Sequence, residues 1–158
     1  MTLDELNAAA ADAVVAELES LFGSAPLAAA VADARPFASV DDLCAAASSL
    51  LAEQSDAEVL EAVNAHPPIG GTVAAGSRSA SEQAGATESA DLDAVRALQP
   101  TYREHFGWNF LIRAAGRSSA EIRAELERRL TVDPAEEWQF SIGQLDAINQ
   151  LRLRGAVN

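Results

Sequence analysis

The chain has 158 residues, 49% hydrophobic but only 5% aromatic, with 11 basic residues against 24 acidic ones and a net charge of −13. That length suits one domain able to bury a core, and the charge excludes a general nucleic-acid binder, which needs a basic face, and argues against docking on anionic membranes. Every basic residue is arginine, so Schiff-base catalysis, pyridoxal phosphate attachment and a P-loop all lack the lysine they require.

In chain order, Thr2-Leu3-Asp4-Glu5 reads as a capping box opening a helix toward Phe22-Gly23, continuous or broken near Asn7. Pro26 suits the first turn of a short helix to about Ala34, which Arg35-Pro36-Phe37 ends. Ser39 caps a helix carrying Val40, Leu43, Ala47, Leu50 and Leu51, on which Cys44 is a small buried apolar residue. Ser55 and Glu58 box the next helix, which must stop near His66 because Pro67 and Pro68 follow.

From Pro67 to Ala80 the chain is rich in Gly, Ala and Ser and forms the longest non-helical stretch, with a short helix expected near Glu82. Ser89 caps a helix to about Phe106, in which Pro100 predicts a kink or a new first turn. Trp108 to Ile112 is strand-like but too short for a sheet. Ser118 and Glu121 box a helix to Leu130, and Asp133-Pro134 opens a last helix with Trp138, Ile142, Leu145, Ile148 and Leu151. The expectation is an all-α fold of about seven to nine helices, one compact domain over residues 1–158, without a significant sheet. No run approaches a membrane span. The early acids of Met-Thr-Leu-Asp-Glu-Leu do not resemble a signal peptide, so a cytoplasmic location is expected.

Three segments carry candidate chemistry. His66-Pro67-Pro68-Ile69-Gly70-Gly71 sets a histidine at a helix end, before a rigid pair of prolines. Histidine is the natural acid/base near neutral pH, and a helix C-terminus also favours its cation, so catalyst and helix cap weigh evenly. Ser79-Ala80-Ser81-Glu82-Gln83 gathers a hydroxyl, a carboxylate and an amide, although Ser79 and Glu82 also have capping-box spacing. Phe110 to Arg117 ends on an arginine just before a helix start, where the dipole disfavours a cation. Arg152, near the end of the last helix, reads as solvated capping, and His105 as a surface residue. Two histidines and one cysteine offer no conventional zinc set, and no metal site is expected.

Taken together, these segments resemble the family of 2-oxo-4-hydroxy-4-carboxy-5-ureidoimidazoline (OHCU) decarboxylases of urate breakdown. The likeness covers Ala34-Arg35-Pro36-Phe37, the stretch from His66, Ser79 through Ala84, Tyr102 with Phe106-Gly107, Phe110-Leu111-Ile112, Gly116-Arg117-Ser118 and Leu151-Arg152-Leu153. It implies a helical, usually dimeric carboxy-lyase that converts OHCU to S-allantoin without metal or organic cofactor. By position it makes His66 the catalytic acid/base and Glu82 its partner in positioning and polarising the substrate. Pro67, Ser79 and Gln83 would line the pocket. Backbone groups of Phe110, Leu111, Ile112, Arg113 and Ala114 would hold the ureido or ring carbonyls, with Arg117 and Arg152 as weaker candidates for anion recognition. Gln99, Pro100, Arg113 and Val132 depart from the family's usual residues, and Arg113 motivates an alternative with a shifted ureido or heterocyclic carboxylate substrate. A non-catalytic helical binding module is the other alternative.

Overall fold

The computed structural model describes residues 1–158 as nine α-helices: α1 (Leu3–Ala8), α2 (Ala11–Phe22), α3 (Ala25–Asp33), α4 (Val40–Glu53), α5 (Asp56–Ala65), α6 (Arg78–Glu82), α7 (Ala90–Phe106), α8 (Ser119–Arg129) and α9 (Pro134–Ala156). There is no strand, and the Trp108–Ile112 run is irregular and belongs to no sheet. The residues fall into two compact units, one of residues 1–62 and 146–158, the other of residues 63–145.

Short polar side chains set most helix starts, because the first N–H groups of a helix lack intrahelical acceptors. Thr2 and Ser118 form complete capping boxes with Glu5 and Glu121. Ser55 and Glu58 exchange the same bonds, and Ser24, Ser39 and Ser89 each accept one backbone N–H. Helices α2 and α7 stop at Gly23 and Gly107, whose φ angles of 65° and 92° are left-handed.

One expectation needs correction, and one of two alternatives falls away. Ser77, not Ser79, caps α6: its hydroxyl accepts from the Ala80 N–H, and Ser79 lies inside the helix. Pro100 starts no new helix either, since α7 runs through it from Ala90 to Phe106. The proline is exposed, so the carbonyl it deprives of a partner can turn to water, while Leu92, Val95, Tyr102 and Phe106 bury one face on both sides of it.

In the first unit α2 packs on α3 and α3 on α4, burying Val14, Leu18, Leu21, Leu27, Val31, Leu43 and Ala47. Arg35, after α3, collects orphan carbonyls at two helix ends: it donates to Ala32 (2.8 Å), Leu6 (2.8 Å) and Ala9 (2.9 Å). Asn7 makes a two-point amide pair with Phe37, accepting from its N–H and donating to its carbonyl at 2.9 Å each. The Ala34–Phe37 segment is therefore architectural. Cys44 is buried, and burial pushes its thiol pKa up.

The second unit buries Ile69, Leu92, Val95, Tyr102, Phe106, Phe110, Ile112, Ile122 and Leu126 in one cluster, with α7 packed on α8. Inside this unit lies a buried ionic network. Arg129, 1% exposed, donates to Glu137, 0% exposed, at 2.6 Å. Tyr102 donates its hydroxyl to the same carboxylate oxygen at 2.6 Å, and the Trp108 indole donates to Tyr102 and Ser141 at 3.1 Å each. Burial, followed by the bond to Glu137, pushes the Tyr102 hydroxyl up to about 12.

Candidate active site

Helix α5 ends at Ala65 because Pro67 has no N–H to continue it. The His66 N–H closes the last turn on Val63 at 3.4 Å, leaving the half-buried histidine where the chain leaves the helix. Beyond it, the Pro67–Gly71 loop closes one peptide hydrogen bond on itself, from Gly71 N–H to Pro68 carbonyl at 3.1 Å. Side chains from two other elements supply the rest.

Gln99 of α7 accepts from the Ile69 N–H at 3.0 Å and donates to the Ile69 carbonyl at 2.7 Å. Arg96, one turn earlier, donates through Nε to the Gly70 carbonyl at 2.9 Å. Its other nitrogens reach Glu88 at 2.6 and 2.8 Å, which raises the Arg96 pKa and holds the Glu88 carboxyl below its usual range. Gln83, at the C-terminus of α6, accepts from Gly70 N–H at 3.1 Å and donates to Pro68 carbonyl at 3.4 Å. Gly70 has φ +73°, a conformation that favours glycine, and a Cβ there would crowd the Arg96 side chain at 3.0 Å from Nε.

The contacts continue into a ring within the second unit. After α6 the chain turns through Gly85, whose α-carbon faces the Arg117 carbonyl closely enough that a Cβ would sit 2.4 Å from its oxygen. Arg117 closes a turn on Ala114 at 3.0 Å and donates Nε to the Arg113 carbonyl at 3.0 Å. The non-helical segment that contains Phe110–Ala114 is fixed from three sides. Arg129 donates to the Leu111 carbonyl at 2.6 Å, Gln144 accepts from Arg113 N–H at 2.9 Å, and Asn64 accepts from Asn109 N–H at 3.0 Å. Asn64 lies in the last turn of α5, two residues before His66, and Arg103 bridges it to the Asn109 side chain at 3.1 and 2.7 Å.

His66, Pro67, Ser79, Glu82, Gln83, Phe110–Ala114 and Arg117 thus all belong to elements of one unit joined by direct contacts. Arg152 belongs to the other unit, where it donates to the Leu21 carbonyl at 2.9 Å rather than standing as a solvated cap. Sequence reasoning missed Asn64, Arg96, Arg103, Gln144 and the Arg129–Glu137 pair, each a lone polar residue without a motif. Gln99 drew attention only as a departure. A cavity of about 380 Å³ opens along the loop, lined by Pro68–Gly71 together with Arg103, Asn109 and Phe110.

The chain is 30% identical over 162 residues to the 2-oxo-4-hydroxy-4-carboxy-5-ureidoimidazoline decarboxylase of Haloferax volcanii, covering 97% of this chain and 94% of that one. It is 33% identical over 138 residues to the protein of that name from Mus musculus, covering 80% and 76%. A crystal structure of OHCU decarboxylase in the presence of (S)-allantoin superposes with a TM-score of 0.78 at 29% identity, over 88% of this chain and 95% of that one. The family model described as OHCU decarboxylase matches residues 7–154, and the chain belongs to that family.

Proposed function

We propose that this member of the OHCU decarboxylase family is a carboxy-lyase of urate degradation that converts OHCU to S-allantoin, with His66 as its acid/base. The observation that carries this reading is the ring of contacts joining the His66 loop, Gln83 and the Phe110–Ala114 segment.

The reaction needs three things from the protein. The C–CO2 bond must be aligned with the neighbouring C=N π system and the carboxylate kept from water, so that the bond can break and release CO2. The electron pair then passes into the substrate's own C=N–C=O system. Finally the hydroxyl of the carbon that lost CO2 gives up its proton and becomes the ring carbonyl, while a proton must reach one face of the neighbouring ureido-bearing carbon, and this selects the S product. His66, followed by two prolines and a loop pinned by side chains, is a proton donor with little freedom to wander. Glu82, at the end of α6, would orient the imidazole and polarise the substrate. In the non-helical segment the Arg113 N–H and the Leu111 and Arg113 carbonyls are occupied by Gln144, Arg129 and Arg117. The Ile112 N–H, between them, would serve the ureido or ring carbonyls. We also read the protein as a cytoplasmic homodimer. No helix is long and apolar enough to cross a membrane.

The test is decarboxylation of freshly generated OHCU, read as chiral allantoin. Faster S-allantoin formation than the spontaneous reaction, lost in His66→Ala with helicity intact, is the expected result. A wild-type rate equal to the spontaneous one would overturn the proposal.

A further inference from the structure

We propose that Gln99 is a positioning residue for His66: its side-chain amide takes the place of a neighbouring strand for the Ile69 peptide and so fixes the loop that carries the histidine. The inference rests on the reading of His66 as the acid/base.

Three observations carry it. First, the loop does not hold itself. Residues 67–71 close one backbone hydrogen bond among themselves, and the N–H and C=O of both Ile69 and Gly70 go to side chains. Second, Gln99 grips both polar groups of one residue. A single hydrogen bond sets a distance, whereas two at 3.0 and 2.7 Å from a planar amide also set the orientation of that residue's backbone. Third, the link from Ile69 back to His66 is stiff. Pro67 and Pro68 have ring-locked φ angles, so a rotation at Ile69 is passed toward the histidine rather than absorbed. Arg96, three residues earlier on the same face of α7, holds Gly70 and is itself tethered by Glu88. It supports the grip of Gln99 but touches one group only.

The length of the side chain matters as well as its chemistry. Gln99→Asn keeps the amide but withdraws it by one carbon–carbon bond, about 1.5 Å. Gln99→Glu keeps an acceptor for the Ile69 N–H and removes the donor to the Ile69 carbonyl. Gln99→Leu removes both partners at similar volume. Misplacement of a reacting group by about 1 Å can cost about 100-fold in rate.

The experiment measures kcat, KM, the pH profile of kcat and thermal unfolding for the full chain and these variants, with freshly generated OHCU and His66→Ala in parallel. Expected for Gln99→Leu is a fall in kcat of about 10- to 100-fold per folded molecule. A smaller change in KM and a displaced pH limb should accompany it, with Gln99→Asn and Gln99→Glu between it and wild type. Loss that merely tracks the folded fraction, or a fall in kcat with an unmoved pH limb, would mean general packing and overturns the proposal. If Gln99→Leu fails to fold, Gln99→Asn decides by the same two readouts. Inactive His66→Ala beside wild-type kinetics in Gln99→Leu sinks the positioning role alone. Full activity in His66→Ala sinks both it and the acid/base reading.

Discussion

Gly85 meets Arg117 backbone to backbone, with room for no side chain: a β-carbon at residue 85 would fall 2.4 Å from the Arg117 carbonyl oxygen. This contact joins the end of α6 to the turn before α8, so it fixes the Ser79–Gln83 segment relative to the Phe110–Ala114 backbone. The obstructing atom is main chain and cannot swing aside.

Gly85→Ala should therefore force the two turns apart. Overpacking of this kind costs about 1–3 kcal/mol, readable as a lower urea midpoint. OHCU turnover should fall further than the lost stability explains, because both displaced segments belong to the candidate site. An alanine variant with wild-type midpoint and turnover would show that the contact relaxes without consequence.

Arg129→Met should be the most damaging single change in the second unit. It leaves the fully buried Glu137 carboxylate without its cation and frees the Leu111 carbonyl. Breaking a buried pair from one side costs about 3–5 kcal/mol. Arg129→Met combined with Glu137→Leu should recover much of that in equilibrium unfolding, since no buried charge is then stranded. Activity should stay low in the double variant, because the Leu111 carbonyl still lacks its donor.

Alkaline pH should destabilise the protein through Tyr102. Its hydroxyl is raised from 10.0 to about 12 in the folded state, by burial first and the Glu137 bond second. The stabilisation is complete below pH 10, where both states keep the proton, and is lost as pH rises toward 12. Lysine is absent and Tyr102 is the one tyrosine, so tyrosinate absorbance reports this group directly. Native protein should show tyrosinate about two pH units later than urea-unfolded protein. Cys44, raised by burial, contributes in the same direction, and Cys44→Ala separates the two.

Arg35→Gln should loosen the first unit without touching the second. Removing the guanidinium withdraws donors from the Leu6, Ala9 and Ala32 carbonyls. Hydrogen bonds to charged groups contribute about 1.5–3 kcal/mol each in net terms, and partial exposure places the combined loss near the bottom of that range. Hydrogen exchange should accelerate at α1 and α3, and the Tyr102 tyrosinate onset should be unchanged.

Helix positions were legible because capping and periodicity are local signals. Thr2, Ser39, Ser55, Ser89 and Ser118 each precede an apolar repeat and each cap a helix. The error at α6 arose where the code is degenerate: Ser77, Ser79 and Ser81 alternate, so the spacing from Ser79 to Glu82 competed with a cap two residues earlier. Pro100 left a kink and a new first turn both open, because the cost of a helical proline depends on whether the deprived carbonyl can reach water, which sequence does not state. The candidate site was legible through its likeness to a family. Its supports were not, because Gln83, Arg96 and Gln99 reach the His66 loop across 13 to 30 positions and have no periodicity of their own.

The Pro67–Gly71 loop has a consequence for how it breathes. Its Ile69 and Gly70 amides are shielded by the glutamine side chains of residues 99 and 83. Solvent deuterium can therefore enter at these two positions whenever an amide side chain lets go, with every helix still wound. Their exchange rates measure the lifetime of the grip itself, a local clock running apart from the global unfolding equilibrium.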